Sequence, residues 1–194
     1  MLKYIHYDNG FFIEAGSNDG VQQSNTLYLE KYLRWKGLLI EPVPELARQC
    51  SRNRPKCVSI NCALVPLEFK EKNILMTSVG LMSFVNGAFA SRKEESAHLF
   101  QGAVHRQPQP QKISVPARTL ESVCKEHNLR YVDFLSLDVE GFEDSVLRGI
   151  NLREIFIRYI LVEARYPEKV RQVLRPCYEF VEKLSPKDLL FRRK

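Results

Sequence analysis

Short apolar runs, most of them followed at once by an acidic residue, recur along the chain. The runs with their polar ends are Phe11–Glu14, Leu38–Glu41, Cys57–Val65, Val132–Gly141 and Tyr159–Glu163. Brief apolar runs bounded by breaker residues are typical of buried strands. Helical patterns separate these runs, and that alternation predicts an α/β fold with a mostly parallel central sheet. Near the end of the chain, Tyr178–Leu184 and Leu189–Phe191 flank a Ser-Pro-Lys-Asp turn and predict an antiparallel hairpin.

The helical segments follow from apolar spacing and from the residues that begin and end them. They are predicted at Ser24–Trp35, Pro44–Asn53, Ser91–Gln101, Leu120–His127, Glu143–Gly149 and Pro167–Leu174. Thr119 is expected to cap the fourth of these, and Gly37 is expected to end the first. The pattern as a whole predicts an otherwise parallel sheet that carries the antiparallel hairpin at its C-terminal end.

A glycine turn follows the first predicted strand and indicates a nucleotide-binding loop. Gly16 and Gly20 enclose three small polar residues, and Glu14 and Asp19 flank the turn. A dinucleotide fold uses three glycines to bring a helix against pyrophosphate, which nearby carboxylates would repel. Carboxylates suit a ligand with an ammonium and a sulfonium group instead, so the loop favours S-adenosylmethionine over NAD. The alternative is an acidic loop on an unrelated α/β protein.

Two polar residues at the next strand ends extend this hypothesis. Glu41 comes about 20 residues after the glycine turn, where nucleotide-binding α/β folds place the carboxylate that binds the ribose hydroxyls. The alternative is that Glu41 caps the helix after Pro42. Asn61 ends the third strand, where its amide could meet the adenine amine; it could equally be a turn residue.

The segment from 66 to 112 is the least regular part of the chain. A long irregular insertion in a compact domain is often a binding loop, so we expect it to select the substrate. The segment carries His98 and His105, which are candidate general bases because neutral imidazole titrates near neutral pH. The alternative is that both are exposed surface histidines.

Acidic residues recur at one predicted edge of the sheet. Asp138 and Glu140 follow the fourth strand, and the first and fifth strands end in Glu14 and Glu163. In open parallel sheets the carboxyl ends of the strands form the ligand side. Acids gathered there suggest a cationic ligand or a metal; a divalent cation is possible, although the sequence offers no zinc-type CxxC pair to support one.

Composition excludes several classes of protein. The 194 residues fit one domain, 44% are hydrophobic, and no apolar run approaches the ~20 residues needed to span a bilayer. The N-terminus lacks the apolar stretch of a signal peptide, and five scattered cysteines suggest reduced thiols, so we expect a cytoplasmic protein. The net charge of +6 is spread along the chain, which makes nucleic acid a weak candidate for a partner.

Several of these motifs, in this order, resemble the FkbM-type methyltransferases. The matching blocks are Phe12–Gly20, Ile40–Pro42, Asn61–Leu64, Val115–Pro116 with Thr119–Glu121, and Leu137–Glu143. The resemblance covers nearly the whole chain and falls away between Pro66 and Gln111. It implies a class I, Rossmann-like fold and an S-adenosylmethionine-dependent enzyme of a single domain. Such an enzyme would methylate hydroxyls on sugars or other small-molecule or glycan acceptors.

The resemblance also implies roles for individual residues. The methionine part of the cofactor would be held by Glu14, Gly16, Ser17, Asn18 and Gly20, with Asp19 in the same loop. Glu41 would bind ribose, and Asn61 and Ala63 would lie near adenine. Asp138 would sit where cofactor and substrate meet. We predict Asp138 or Glu140 as the catalytic base and keep His98 as a less favoured candidate.

Two other functions remain open at this point. The first is a binding or trafficking module that keeps the fold but has lost turnover; it should bind S-adenosylmethionine weakly or not at all. The second is an RNA methyltransferase, suggested by the positive charge; its binding should weaken steeply with salt.

Overall fold

A mixed α/β architecture appears in the computed structural model, which describes residues 3–104 and 109–194. Within those residues eleven strands and six helices follow one another. They are β1 (Phe11–Ala15), α1 (Leu27–Leu33), β2 (Lys36–Ile40), α2 (Pro44–Asn53), β3 (Val58–Ile60), β4 (Ala63–Val65), β5 (Asn73–Ser78), β6 (Phe84–Val85), α3 (Arg92–Val104), β7 (Gln111–Thr119), α4 (Leu120–Glu126), β8 (Tyr131–Leu137), α5 (Glu143–Leu147), β9 (Phe156–Glu163), α6 (Pro167–Leu174), β10 (Tyr178–Lys183) and β11 (Asp188–Arg193).

The central sheet has the spatial order β3-β2-β1-β8-β9-β11-β10 in the described part of the chain. The first five strands of that order run parallel, and β11 runs antiparallel to both of its neighbours, β9 and β10. The order reverses between β1 and β8, which is the point where doubly wound sheets open a ligand crevice. The predicted α/β class, with a C-terminal antiparallel hairpin, is therefore confirmed.

The strands are apolar on both faces because helices cover both sides of the sheet. Ile13 and Leu135 pack into the larger core on one face, whereas Phe12 and Phe134 pack with Trp35 on the other. The alternation along β1 and β8 thus buries successive residues in two different cores. This arrangement fixes the strand ends, and with them the acidic residues that follow.

The predicted third strand, Cys57–Val65, is wrong as a single element. It breaks at Asn61 into β3, which joins the central sheet, and β4, which pairs with β7 in a separate sheet of order β4-β7-β5-β6. The Asn61 amide donates to the carbonyls of Glu41 (2.9 Å) and Pro42 (2.8 Å), and these bonds hold the chain at the bend. Part of the predicted insertion therefore forms a second sheet beside the first.

The first helix is shorter than predicted. Its N-cap is Thr26, and the preceding Ser24 hydroxyl accepts from the Thr26 and Leu27 amides. It ends at Leu33 because Arg34 adopts a left-handed conformation with φ of 56°. Gly37 does not stop a helix; it lies within β2, where an added Cβ would come 2.3 Å from the Phe12 ring.

Other helices agree with the sequence closely. The bounds of α2 and α6 are those predicted, and the Thr119 hydroxyl accepts from the Ser122 amide at 3.0 Å, as an N-cap should. None of the helices in residues 3–104 and 109–194 is long and apolar enough to cross a membrane.

Candidate functional site

A cleft of about 820 Å³, measured out to its mouth, opens at the carboxyl edge of the central sheet where β1 and β8 meet. Eight of the residues predicted from the sequence line this first cleft: Glu14, Gly16, Ser17, Asn18, Glu41, Ala63, Asp138 and Glu140. The acidic strand ends therefore face one common space.

Gly16 lets two backbone segments approach each other at the floor of the first cleft. Its φ is +81°, and a Cβ at this position would lie 1.7 Å from the Asp138 carbonyl oxygen. The Gly16 amide donates to the Ile40 carbonyl at 2.9 Å, and the Asp138 amide donates to the Ala15 carbonyl at 3.0 Å. A side chain cannot be accommodated here, so the turn requires glycine for a steric as well as a conformational reason.

Glu14 is almost completely buried and is held by four donors. They are the Ser24 hydroxyl (2.8 Å), the Asn25 amide (2.8 Å), the Thr26 hydroxyl (2.6 Å) and the Arg54 guanidinium (3.2 Å). Burial raises the pKa of the Glu14 carboxyl, whereas the two hydroxyls and Arg54 oppose that rise. Glu14 thus lines the cleft, but its charge is matched by Arg54 and it fixes the segment that leads into α1.

Glu41 ends β2 and accepts from two backbone amides, those of Asn18 and Val43, each at 2.9 Å. Val43 is the N-cap of α2, and its own amide is not one of the first-turn amides that a capping side chain accepts from, so Glu41 does not cap this helix as the alternative supposed. Each carboxylate oxygen keeps further acceptor capacity. The side chain is buried with no cation among those contacts, and burial raises its pKa to about 7.

Three predicted cofactor-binding residues lie beside the first cleft and not in its lining. Asp19 accepts from the amides two and three residues further on, at 2.8 and 2.7 Å, which closes the turn. Gly20 has a φ of +81° that this turn needs. The Asn61 side-chain amide donates to the Glu41 and Pro42 carbonyls at the bend after β3, so Asn61 supports the residues that line the cleft.

One wall of the first cleft is apolar and was not predicted from the sequence. Its members come from α2, the second sheet and the loop after β8: Leu46, Leu64, Met76, Val85 and Phe142. Two of them belong to the segment expected only to select substrate. The wall depends on the long-range pairing of β5 with β7, which a local pattern does not reveal.

A second cavity of about 790 Å³ adjoins the first cleft and shares Asp138 and Glu140 with it. Its remaining lining is mostly charged or polar: Gln101, Glu143, Glu163, Arg165 and Lys187, with Gly141, Ala164, Pro167 and Pro186 between them. Asp138 and Glu140 therefore stand at the junction of an apolar-walled cleft and a polar cavity.

Asp138 and Glu163 sit side by side at the ends of neighbouring strands. Leu137 pairs with Val162 in the parallel register of β8 and β9, so the two acids come next in register. Burial, and then the Glu163 carboxylate, raise the pKa of Asp138 well above its usual range. Lys187 lies 3.0 Å from Glu163 and balances one of these charges.

Glu140 has a backbone φ of 51°, a left-handed conformation that few non-glycine residues adopt. Its carboxylate lies 3.7 Å from the Arg165 guanidinium. Burial, followed by the Glu163 charge, raises the pKa of Glu140 to about 7, although Arg165 and Lys187 act in the opposite direction. A carboxyl group with this pKa can exchange a proton at neutral pH.

His98 is 1% exposed, so the expectation of a surface histidine is wrong for this residue. One ring nitrogen, Nε2, lies 2.8 Å from the Met82 carbonyl, and Nδ1 lies 2.8 Å from Arg165 Nη2. Burial lowers its pKa. Both nitrogens are engaged, so His98 has no free lone pair with which to act as the base. His105 lies outside the described residues.

No group of three or more His, Cys, Asp or Glu side chains is arranged to hold a metal ion within residues 3–104 and 109–194. The divalent cation considered from the sequence thus has no ligand set there. The five cysteines are all free thiols.

The sheet order, the cleft at its reversal point and the acidic strand ends define a Rossmann-like class I methyltransferase fold. A family model described as the methyltransferase FkbM domain matches residues 14–184. The chain therefore belongs to the FkbM methyltransferase family, as its motifs predicted. Family and fold together support the predicted cofactor, S-adenosylmethionine.

Individual proteins with known names agree with this assignment. The chain is 28% identical over 195 residues to methyltransferase sdnD of Sordaria araneosa, covering 88% of this chain and 72% of that protein. A solved methyltransferase FkbM from Methylobacillus flagellatus KT superposes with a TM-score of 0.53 and 13% identity, covering 96% of this chain and 44% of that one. A human methyltransferase 10 domain containing protein superposes with a TM-score of 0.53 and 12% identity, covering 100% of this chain and 80% of that one. At these identities the two structures support the fold alone.

Proposed function

We propose that this chain catalyses O-methylation of a hydroxyl group on a sugar or another small-molecule or glycan acceptor, with S-adenosylmethionine as the donor. The single observation that carries the proposal is the shared position of Asp138 and Glu140, which line both the first cleft and the second cavity. A group-transfer enzyme needs two ligands to meet at such a junction. In this proposal the 194 residues act as a single methyltransferase domain.

The first cleft fits the cofactor part by part. Glu41 offers acceptor oxygens to a ribose diol, which has two donors to give. The apolar wall, with Leu64, Met76 and Phe142, suits the flat adenine ring. The tight turn at Gly16 brings backbone to the cleft where the methionine part would lie.

The second cavity suits a polyhydroxylated acceptor. Its cations are already matched by carboxylates: Lys187 lies 3.0 Å from Glu163, and Arg165 lies 3.7 Å from Glu140. Two further acids of the lining, Asp138 and Glu143, are buried groups with raised pKa values, which lessens the negative charge of this wall. Gln101, from the segment 66–112, also lines this cavity, which supports the proposal that this segment selects the acceptor.

The chain's own residues have two tasks in the reaction. They hold the two reactants in line, which can account for a large part of the rate enhancement of a transfer reaction. Asp138 or Glu140 then accepts the hydroxyl proton as the acceptor oxygen attacks. When bound, S-adenosylmethionine supplies a methyl group already activated by its sulfonium. His98 is not the base in this scheme, because both of its nitrogens are occupied.

Calorimetric titration with S-adenosylmethionine tests the proposal first. We expect saturable binding by the wild-type chain. We expect the double variant Asp138→Asn/Glu140→Gln, which lacks both candidate bases, to lose methyl transfer from labelled cofactor to a mixture of glycosides. Absence of cofactor binding would favour the degenerate binding module. If transfer goes instead to RNA, with affinity falling steeply as salt rises, the acceptor class is wrong.

A further inference from the structure

His98 is held in one tautomer by its two hydrogen-bond partners. Arginine has no acceptor, so the 2.8 Å contact from Arg165 Nη2 requires His98 Nδ1 to accept. The proton must then sit on Nε2, which donates to the Met82 carbonyl at 2.8 Å. The ring packs against Phe84 and Phe89, with centroids 5.3 and 4.9 Å away. A neutral imidazole in a fixed orientation results.

Arg165 is the partner through which His98 reaches the second cavity. Its guanidinium lies over the Phe89 ring, 4.7 Å from the centroid, and the same Nη2 that donates to His98 is 3.7 Å from Glu140. Arg165 also lines the second cavity. The contacts therefore run from Met82 through His98 and Arg165 to Glu140.

Two further hydrogen bonds connect α3 and the residues just before it to the loop after β9. The Tyr166 hydroxyl donates to Glu94 at 2.6 Å and accepts from the Ala90 amide at 2.9 Å. Residues 165 and 166, which follow β9, thus both bind the segment that carries α3. The contact between His98 and Arg165 is therefore one of several hydrogen bonds that connect this segment to the ligand edge of the sheet.

We propose that His98 is a positioning residue: it holds Arg165 against Glu140 and so links the substrate-selecting segment to the site of methyl transfer. For catalysis this inference rests on the proposed function, because it matters only if Glu140 borders the acceptor. The link itself is a property of the described contacts and can be tested without an acceptor.

The charges around Glu140 determine what this link does. Glu163 and Glu143 destabilise its ionised form, whereas Arg165 and Lys187 stabilise it. His98 Nδ1 approaches Glu140 to 3.9 Å but, being neutral, adds no charge. Loss of His98 would release Arg165 and remove one of the two stabilising cations.

Nuclear magnetic resonance of the isotopically labelled protein tests the proposal directly. In the wild type we expect His98 to remain the Nε2-protonated tautomer at neutral pH. We expect His98→Leu to move the titration of the Glu140 carboxyl upward by about one pH unit, since an opposite charge at this distance typically lowers a pKa by about 1–3 units. The Glu140 signal is assigned with Glu140→Gln.

Two further variants keep the test decisive if His98→Leu fails to fold. Arg165→Gln should give the same upward shift while His98 stays in place. His98→Asn, whose side-chain oxygen can accept from Arg165 at the position of Nδ1, should restore the wild-type titration. Exposed His6→Leu is the matched control and should change nothing.

An unchanged Glu140 titration in both His98→Leu and Arg165→Gln would overturn the inference, as would a proton on His98 Nδ1 in the wild type. Calorimetry with S-adenosylmethionine separates this failure from failure of the proposed function. His98 does not border the first cleft, so the folded His98→Leu variant should bind the cofactor as the wild type does. If neither protein binds it, the proposed function fails while the titration result stands.

Discussion

Replacing Glu41 by glutamine should weaken cofactor binding without weakening the fold. Glu41 is 5% exposed and accepts from the Asn18 and Val43 amides, and burial raises its pKa from 4.5 to about 7. Glutamine keeps the shape and one acceptor oxygen but removes the charge. The two consequences have opposite signs, and each can be estimated.

The binding loss follows from the charge-assisted hydrogen bonds to ribose. Hydrogen bonds to charged groups contribute about 1.5–3 kcal/mol each, so weakening two of them should cost about 2–4 kcal/mol. That corresponds to a Kd for S-adenosylmethionine raised about 30- to 700-fold.

The stability change follows from linkage. The folded-state pKa of Glu41 lies above its unfolded value, so its burial opposes folding as pH rises from 4.5 towards about 7. Above that pH window, the raised pKa of Glu41 corresponds to about 3 kcal/mol of lost folding stability, which the uncharged glutamine avoids. Glutamine in turn costs about 1–3 kcal/mol, because one of the two backbone amides loses its acceptor. Glu41→Gln should therefore unfold at the same temperature as the wild type or higher at about pH 8, with a flatter pH dependence.

Calorimetry and thermal unfolding of the same samples measure both quantities. The matched control is Glu45→Gln, an exposed glutamate in the first turn of α2, which should change neither. If Glu41→Gln binds S-adenosylmethionine as the wild type does, Glu41 does not hold the ribose. If binding and stability fall together, the effect is structural and the estimate is wrong.

Gly16→Ala should destabilise the fold by at least about 2 kcal/mol and abolish cofactor binding, because the new Cβ would lie 1.7 Å from the Asp138 carbonyl oxygen. Thermal unfolding measures the loss of stability, and near-normal stability would contradict the placement of this turn. Arg54→Met should cost about 3–5 kcal/mol by leaving Glu14 buried without its counter-ion, and urea unfolding shows whether the loss is that large or negligible. Cofactor affinity should increase about tenfold from about pH 6 to 8 as Glu41 ionises, and calorimetry across that range would reveal a flat profile if the ionised form is not required.

The sequence predicted those parts of the fold that depend on local pattern. The strands β1, β2, β8 and β9 are short apolar runs with an acid at or just after the end, and they lie in parallel order as expected. Parallel pairing brings the carboxyl ends of the strands to one edge, which is why the sequence alone predicts Glu41 and Asp138 in a common cleft.

Other parts depend on contacts between distant residues and could not be predicted. The counter-ion of Glu14 is Arg54, 40 positions away, and nothing in the local pattern indicates that pairing. His98 has a polar surface-like sequence around it, yet Phe84, Phe89 and Arg165 enclose it. In each case the role of a titratable group was decided by its burial and partners, which only the fold supplies.

A structure of the complex with S-adenosylhomocysteine is the most direct measurement of the central claim. The account predicts the ribose hydroxyls on the Glu41 carboxylate, adenine against Met76 and Phe142, and the sulfur facing the junction at Asp138 and Glu140. A nucleoside bound outside this cleft, or a cleft that stays closed to it at saturating concentration, would contradict the account.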